Sequence, residues 1–213
     1  SVDMVGIGPS GTSRRDLGEL ASARRVNASF PDMGHAAVCD LQAEDATYVP
    51  TYQNDPAVEE YFKHISEERK RRLGDKARLL GLVGTVFPNM SYLARQPRSI
   101  SVWHPRGPHT TEAWRWFLVD RDVPEEVKDM LRHYFIRYSG PAGMTEQDDM
   151  ENWNYAHSAS RGPIARRHPY NYELGIGAGS PDVPLPGMLT ERINEENARG
   201  FYSGWSRAME AEN

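Results

Sequence analysis

The feature that most constrains the fold is a run of short apolar segments between residues 82 and 119, separated by turn-forming residues. The segments occupy residues 82–87, 92–93, 99–103 and 112–119. Pro88 and Asn89 stop the first segment, and the proline- and glycine-rich stretch 104–111 is typical of a hairpin connection. Bulky side chains on both faces of 112–119 predict a central strand that is covered on two sides. The run therefore predicts an antiparallel sheet.

A strand and a helix are predicted ahead of this run. Residues 34–41 favour a strand, whereas residues 1–30 show little periodic pattern. Asp55 can cap a helix that opens at Pro56 and ends at Gly74. Together with the segments that follow, the pattern places one strand and one helix before the β-rich part of the chain.

Helical periodicity returns after residue 123 and predicts three more helices. Their expected ranges are 124–139, about 145–158, and roughly 191–209. We expect the last helix to be interrupted or loosened near Gly200 and Gly204, because glycine is a poor helix former. Residues 159–190 read as irregular. Strands followed by packed helices predict an α+β fold.

Composition excludes several classes of protein. The 213 residues carry 25 basic and 30 acidic side chains, so no excess of positive charge suggests a nucleic-acid partner. No apolar run approaches the roughly 20 residues of a membrane span. Cys39 is the single cysteine and fits a reducing, cytoplasmic location. The chain begins at Ser1 without an initiator methionine, from which we expect an internal position in a longer protein.

The most informative stretch is the acidic segment TEQDDMENW at 145–153. Acidic residues in a first turn suit the helix dipole, so these carboxylates can be ordinary solvated surface. Helical geometry at 100° per residue separates one of them: Asp149 shares the least charged face with Asn152 and Trp153, and Asp148 points about 100° away. A carboxylate on a buried face must be paired or bound to a metal. Both interpretations stay open on geometry alone.

The histidines do not complete a metal site in the sequence. Non-haem Fe(II) oxygenases bind iron through two histidines and one carboxylate. None of the seven histidines forms a close pair with the spacing of metal ligands. His157 follows Asp149 by eight residues, about 12 Å along a helix. It is the first candidate for a further ligand, but no convincing triad is visible.

Six motifs occur together in a characteristic order. They are GTVFPNMSYL at 84–93, VWHPRGP at 102–108, EAW at 112–114, VDRDVPEE at 119–126, SGPAG at 139–143 and EQDDMENW at 146–153. In this order they resemble the large (alpha) subunit of Rieske-type ring-hydroxylating dioxygenases of the naphthalene, biphenyl and polycyclic-aromatic type, over about residues 30–205. The resemblance implies a helix-grip, START/Bet v1-like catalytic domain. Residues 1–213 would be the C-terminal portion of that domain, without the Rieske domain.

The resemblance also implies a site. In the family, the second aspartate of this acidic helix binds the mononuclear Fe(2+), which assigns that role to Asp149. The two histidine ligands and the ligands of the Rieske 2Fe-2S cluster would lie upstream, outside this chain. Matching substrate-pocket positions are Gly81, Val83, Leu93, Ser139 and Thr145, which can alternatively just pack the core. The small residues among them predict room for multi-ring aromatics, and the family places His35 near the pocket, at its core or rim.

The implied enzyme takes electrons from NADH through a reductase and a ferredoxin and converts an aromatic hydrocarbon to a cis-dihydrodiol. A small (beta) subunit would complete an α3β3 assembly. This chain alone is expected to be iron-poor and inactive. Two alternatives are a non-enzymatic helix-grip carrier, against which the acidic helix argues, and an assembly subunit, against which the retained carboxylate argues.

Overall fold

The structure, a computed structural model, describes residues 24–48, 55–178, 187–191 and 194–211. Seven strands of these segments form one sheet in the order β6-β5-β4-β3-β2-β1-β7, and each neighbouring pair is antiparallel. The strands are β1 Arg24–Phe30, β2 His35–Leu41, β3 Leu79–Val86, β4 Met90–Leu93, β5 Ser99–Pro105, β6 Thr111–Phe117 and β7 Met188–Glu191.

Four α-helices accompany the sheet in the described part of the chain. They are α1 Pro56–Leu73, α2 Glu125–Ser139, α3 Glu146–Ser160 and α4 Glu196–Ala211. The predicted caps of α1 are confirmed: the side chain of Asp55 accepts a hydrogen bond from the backbone N–H of Val58 at 3.3 Å, and Gly74 ends the helix. An antiparallel sheet with packed helices confirms the predicted α+β class.

A compact apolar cluster joins α1 and α2 to the end of β6. Val58, Val127 and Leu131 are its fully buried members, with Phe117 packed against them. The ring of Phe117 stacks on that of Phe135 at a centroid distance of 5.0 Å. This burial attaches both helices to one end of the sheet and leaves the rest of that face free to border a cavity.

Two strand predictions were wrong. Strand β1 lies within the region predicted to lack periodic structure, because its buried positions include the polar Asn27 and Ser29, which hide the alternation. Strand β6 was expected to be central, but it is the last strand of the sheet. Its Phe117 contacts α2, whereas Trp114 and Trp116 on the other face stay 50% and 45% exposed. The remainder of 1–30, residues 1–23, lies outside the described residues.

The prediction for the last helix needs two corrections. It begins at Glu196 rather than near residue 191, because Glu191 ends β7 and residues 188–191 pair with β1. Gly200 and Gly204 do not loosen the helix but are its buried residues. A Cβ at Gly204 would lie 2.6 Å from the Cα of Gly34, so the glycine permits close approach of two backbones.

Cys39 lies buried on β2 as a free thiol, and burial raises its pKa to about 11. The neighbouring Asp40 is buried too, and its carboxylate pairs with Arg25 at 3.0 Å and with Arg95. Among the described residues, no helix has the length and apolar character needed to cross a membrane.

Candidate active-site cavity

A cavity of about 560 Å³ lies between one face of the sheet and the helices α3 and α4. Strands β2 to β6 form its floor, and α3, Tyr172 and α4 form its sides. Pockets for small organic ligands occupy roughly 300–1,000 Å³, so this volume suits a molecule of two or more fused rings.

Strand alternation decides which side chains reach the cavity floor. One row of cross-strand partners runs from β3 to β6 and consists of Thr85, Ser91, Ser101 and Arg115. The adjacent row on the same face consists of Val83, Leu93 and Ser99. The floor thus combines an apolar part with a strip of hydroxyl groups that ends at an arginine.

Aromatic rings form the sides of the cavity. Trp153 of α3 meets Trp103 of β5 edge to face at a centroid distance of 5.5 Å. On the opposite side, the ring centroids of Tyr172 and Tyr202 lie 5.2 Å apart, and Phe201 also lines the cavity. Rings on both sides favour a flat aromatic ligand, because offset and edge-to-face contacts stabilise such pairs.

A half-buried ion pair closes the cavity at the N-terminus of α3. The guanidinium of Arg115 contacts the carboxylate of Glu146, and both side chains are only 16% exposed. The Nε of Arg115 also donates to the hydroxyl of Ser101 at 2.9 Å. Burial lowers the pKa of Arg115, but an arginine side chain remains protonated in proteins at neutral pH. The pair therefore ties the first residue of α3 to β6.

Of the two interpretations of the acidic helix α3, the one that places Asp149 on a buried face is not what the structure shows. No residue of this helix is buried, and Asp149, Asn152 and Trp153 are all exposed. Helix α3 is exposed because it borders the cavity only through Glu146 and Trp153. It has no continuous apolar stripe packed against the sheet. The carboxylate of Asp149 therefore keeps access to solvent among the described residues.

Helical geometry still directs Asp149 towards the cavity side of α3. At 100° per residue, Asp149 lies about 60° from Glu146 and about 40° from Trp153 around the helix axis. Both of these neighbours line the cavity. Asp148 lies about 100° further round, on another side of the helix. Of the two adjacent aspartates, Asp149 is therefore the one on the cavity side.

The family model described as the ring hydroxylating alpha subunit (catalytic domain) matches residues 19–211. The chain belongs to this family.

Individual relatives agree with the match to the family model. The chain is 39% identical over 160 residues to biphenyl 2,3-dioxygenase subunit alpha of Rhodococcus jostii (strain RHA1), a match that covers 72% of this chain and 35% of the relative. It is 33% identical over 158 residues to the large oxygenase component of the naphthalene 1,2-dioxygenase system of Pseudomonas putida, with coverage of 71% and 35%. The chain spans about a third of the length of these curated relatives.

The fold agrees with a solved structure of the same family. Naphthalene 1,2-dioxygenase from Rhodococcus sp. bound to indole matches with a TM-score of 0.70 and 27% identity. The match covers 90% of this chain and 46% of that chain.

The five predicted substrate positions fall into two groups. Val83 and Leu93 are cross-strand partners that line the cavity. Gly81, Ser139 and Thr145 do not line it. Gly81 pairs with β2 beyond a register shift, Ser139 ends α2, and Thr145 is buried just before α3.

The histidines do not gather around Asp149 in the described residues, where no group of three His, Cys, Asp or Glu side chains could hold a metal ion. His35 accepts a hydrogen bond from the backbone N–H of Phe87 at 3.0 Å, which gives it a structural role at the β2–β3 edge. The Nε2 of His157 lies 3.4 Å from the Nδ1 of His109, not beside Asp149.

Sequence reasoning missed the residues that define the cavity walls. The most important missed contact is the ion pair of Arg115 with Glu146, two residues that are far apart in sequence but close in space. A signal for Arg115 was present: it alternates with Trp114 and Trp116, and so points to the same face as the core residue Phe117. Phe201 of α4 gave no comparable signal.

Proposed function

We propose that residues 1–213 form the C-terminal portion of the catalytic domain of an aromatic-ring-hydroxylating dioxygenase alpha subunit. That enzyme adds both atoms of O2 to an aromatic hydrocarbon and yields a cis-dihydrodiol. Electrons come from NADH through a reductase, a ferredoxin and a Rieske 2Fe-2S cluster. The observation that carries the proposal is an aromatic-walled cavity of about 560 Å³ beside the helix of Asp149, in a member of the ring-hydroxylating family.

In this proposal the chain supplies the substrate cavity and one iron ligand. Asp149 is the candidate ligand, because it lies on the cavity side of α3 and its carboxylate is exposed. Asp149 would hold Fe(2+) together with two histidines, and this set of two histidines and one carboxylate is the one that non-haem Fe(II) oxygenases use. Both histidines and all ligands of the cluster are proposed to come from the rest of the natural polypeptide.

The protein's own contribution is to place the substrate. Trp103 and Trp153 on one side, and Phe201 with Tyr202 on the other, hold a flat ring system in the cavity. Val83 and Leu93 support it from the floor. Because water is displaced from this apolar contact area, binding gains about 25 cal/mol for each Å² buried.

The proposed partners follow from the family. The small beta subunit would assemble with the alpha subunit into a hexamer with three copies of each, and the ferredoxin would dock to deliver electrons. These partners are proposed for the whole enzyme. The matched part of this chain covers 35% of the length of its curated relative.

The test uses the natural alpha subunit with its beta subunit, ferredoxin, reductase and NADH. We expect conversion of naphthalene, phenanthrene or pyrene to a product that carries both atoms of isotopically labelled O2, measured by mass spectrometry. Exclusive turnover of single-ring substrates would contradict the multi-ring proposal, and incorporation of one oxygen atom would contradict dioxygenation. The isolated 213-residue chain is expected to bind little iron, and near-stoichiometric iron would mean that it contains further ligands.

A further inference from the structure

Two histidines meet at a place that the proposed dioxygenase reaction does not use. The Nδ1 of His109, in the connection between β5 and β6, lies 3.4 Å from the Nε2 of His157 on α3. The ring centroids are 5.6 Å apart with the planes tilted by 55°. The rings therefore approach through their nitrogen edges instead of stacking face to face, which is not the geometry of apolar packing.

The separation of the two nitrogens matches that of two ligands on one small metal ion. Zinc binds histidine nitrogen at about 2.0–2.1 Å in a tetrahedral arrangement, which sets two ligand nitrogens about 3.4 Å apart. Both rings are exposed, so they have room to turn their nitrogen lone pairs towards one ion.

The position of His157 next to the hairpin depends on an aromatic contact one turn earlier on the same face of α3. Trp153 lies four residues before His157, one turn earlier, and packs against Trp103 of β5. His109 follows along the same hairpin at its tip. The tryptophan contact thus aligns the helix with the hairpin, and the two imidazoles are brought together where the two elements extend beyond it.

We infer that His109 and His157 form a two-histidine site for a divalent transition-metal ion, with zinc as the ion the geometry fits. No third His, Cys, Asp or Glu joins them among the described residues, so water completes the coordination and the site stays open to solvent. A bound ion clips the tip of the β5–β6 hairpin to α3. This inference does not depend on the proposed dioxygenase activity.

The test is an isothermal calorimetric titration with zinc. The natural polypeptide is first dialysed against zinc-free buffer and then titrated. We expect His109→Ala and His157→Ala each to bind zinc at this site at least tenfold more weakly than wild type. The double variant should bind no more weakly than either single variant, because one imidazole alone cannot chelate. His133→Ala is the matched control: it is also exposed, and its Nδ1 lies 2.8 Å from the carbonyl oxygen of Asp129.

A second measurement keeps the inference falsifiable if a variant misfolds. One equivalent of Cu2+ added to wild type should give an electron paramagnetic resonance spectrum with splitting from two imidazole nitrogens, because copper binds such ligands more tightly than zinc does. Equal zinc affinity in wild type and both single variants would overturn the site. So would a copper spectrum in wild type without coupling to two nitrogens.

Discussion

The two helices that border the cavity are attached to the sheet in opposite ways. Helix α4 buries two glycines against β1 and the turn that follows it, where a Cβ at Gly200 would lie 2.4 Å from the hydroxyl of Ser29. Its Asn197 side chain donates to the carbonyl oxygen of Ala37 at 3.0 Å. Helix α3 buries nothing and is connected through the Arg115–Glu146 ion pair and a tryptophan pair.

The two helices that form the sides of the cavity therefore differ in how firmly they are held against the sheet. Close backbone contact leaves α4 little freedom, because protein interiors are packed at crystal-like density and bulk cannot be added without strain. A helix held by a few polar and edge contacts has lower local stability. The candidate ligand Asp149 lies on that less tightly held helix, so its position depends on the contacts of α3 on either side of it.

The largest expected effect is loss of the proposed iron ligand. In the natural enzyme, Asp149→Ala should lower iron content and turnover by about 100-fold or more, since even outer groups of a metal site change affinity by 10- to 100-fold. Iron is measured by elemental mass spectrometry and turnover by product formation.

Asp148→Ala is the matched control for this substitution. Asp148 is also exposed, lies in the same first turn and has the same favourable interaction with the helix dipole. It should keep its iron and most of its turnover. If Asp148→Ala lost iron and Asp149→Ala kept it, the assignment of the ligand would be wrong.

Next in size is the cost of adding bulk to α4. Gly204→Val should reduce the free energy of unfolding by about 3 kcal/mol, because its side chain would collide with the backbone of Gly34. Ala156→Val on the exposed surface of α3 makes a comparable increase in bulk and should cost about 0.5 kcal/mol. Denaturant unfolding measures both. Similar costs at the two positions would remove the proposed contrast between the helices.

The ion pair of α3 ranks third. Arg115→Met leaves the half-buried carboxylate of Glu146 without its partner and should destabilise the protein by about 2 kcal/mol, less than for a completely buried pair. The double variant Arg115→Met/Glu146→Gln should regain part of this loss, as measured in a double-mutant cycle.

An exposed pair serves as the control for this cycle. Arg106 and Glu112 are 58% and 43% exposed, and Arg106→Met should cost less than about 1 kcal/mol. A loss at Arg106 equal to that at Arg115 would show that burial is not what makes the α3 pair important.

The sequence predicted elements best where local signals agree. The cap of Asp55, the proline at its first turn and Gly74 together bounded α1 correctly. The tight hairpin between β5 and β6 followed from its proline and glycine content. In each case a few neighbouring residues determine the conformation, so no knowledge of distant contacts is required.

Predictions failed where a distant contact decides the environment. Gly204 reads as a helix breaker until the backbone of Gly34 is seen against it. Trp114 and Trp116 read as core until β6 proves to be the edge of the sheet. The face of α3 that carries Asp149 was identified from helical periodicity, but its exposure depends on contacts that periodicity does not encode. The cavity is lined by five strands and two helices that are distant in sequence, and its ion pair joins residues 31 positions apart.

The smallest expected effect concerns the tryptophan contact of α3, and it separates packing from exposure. Trp153 on α3 and Trp205 on α4 are each 50% exposed, so burial alone predicts equal costs for their removal. Trp153→Ala also loses the edge-to-face contact with Trp103 and should therefore destabilise the protein by about 1 kcal/mol more than Trp205→Ala. Thermal unfolding measures the two variants side by side. Equal losses would mean that the ring pair adds nothing to the attachment of α3, and the ion pair at its N-terminus would then be the main contact that positions Asp149 beside the cavity.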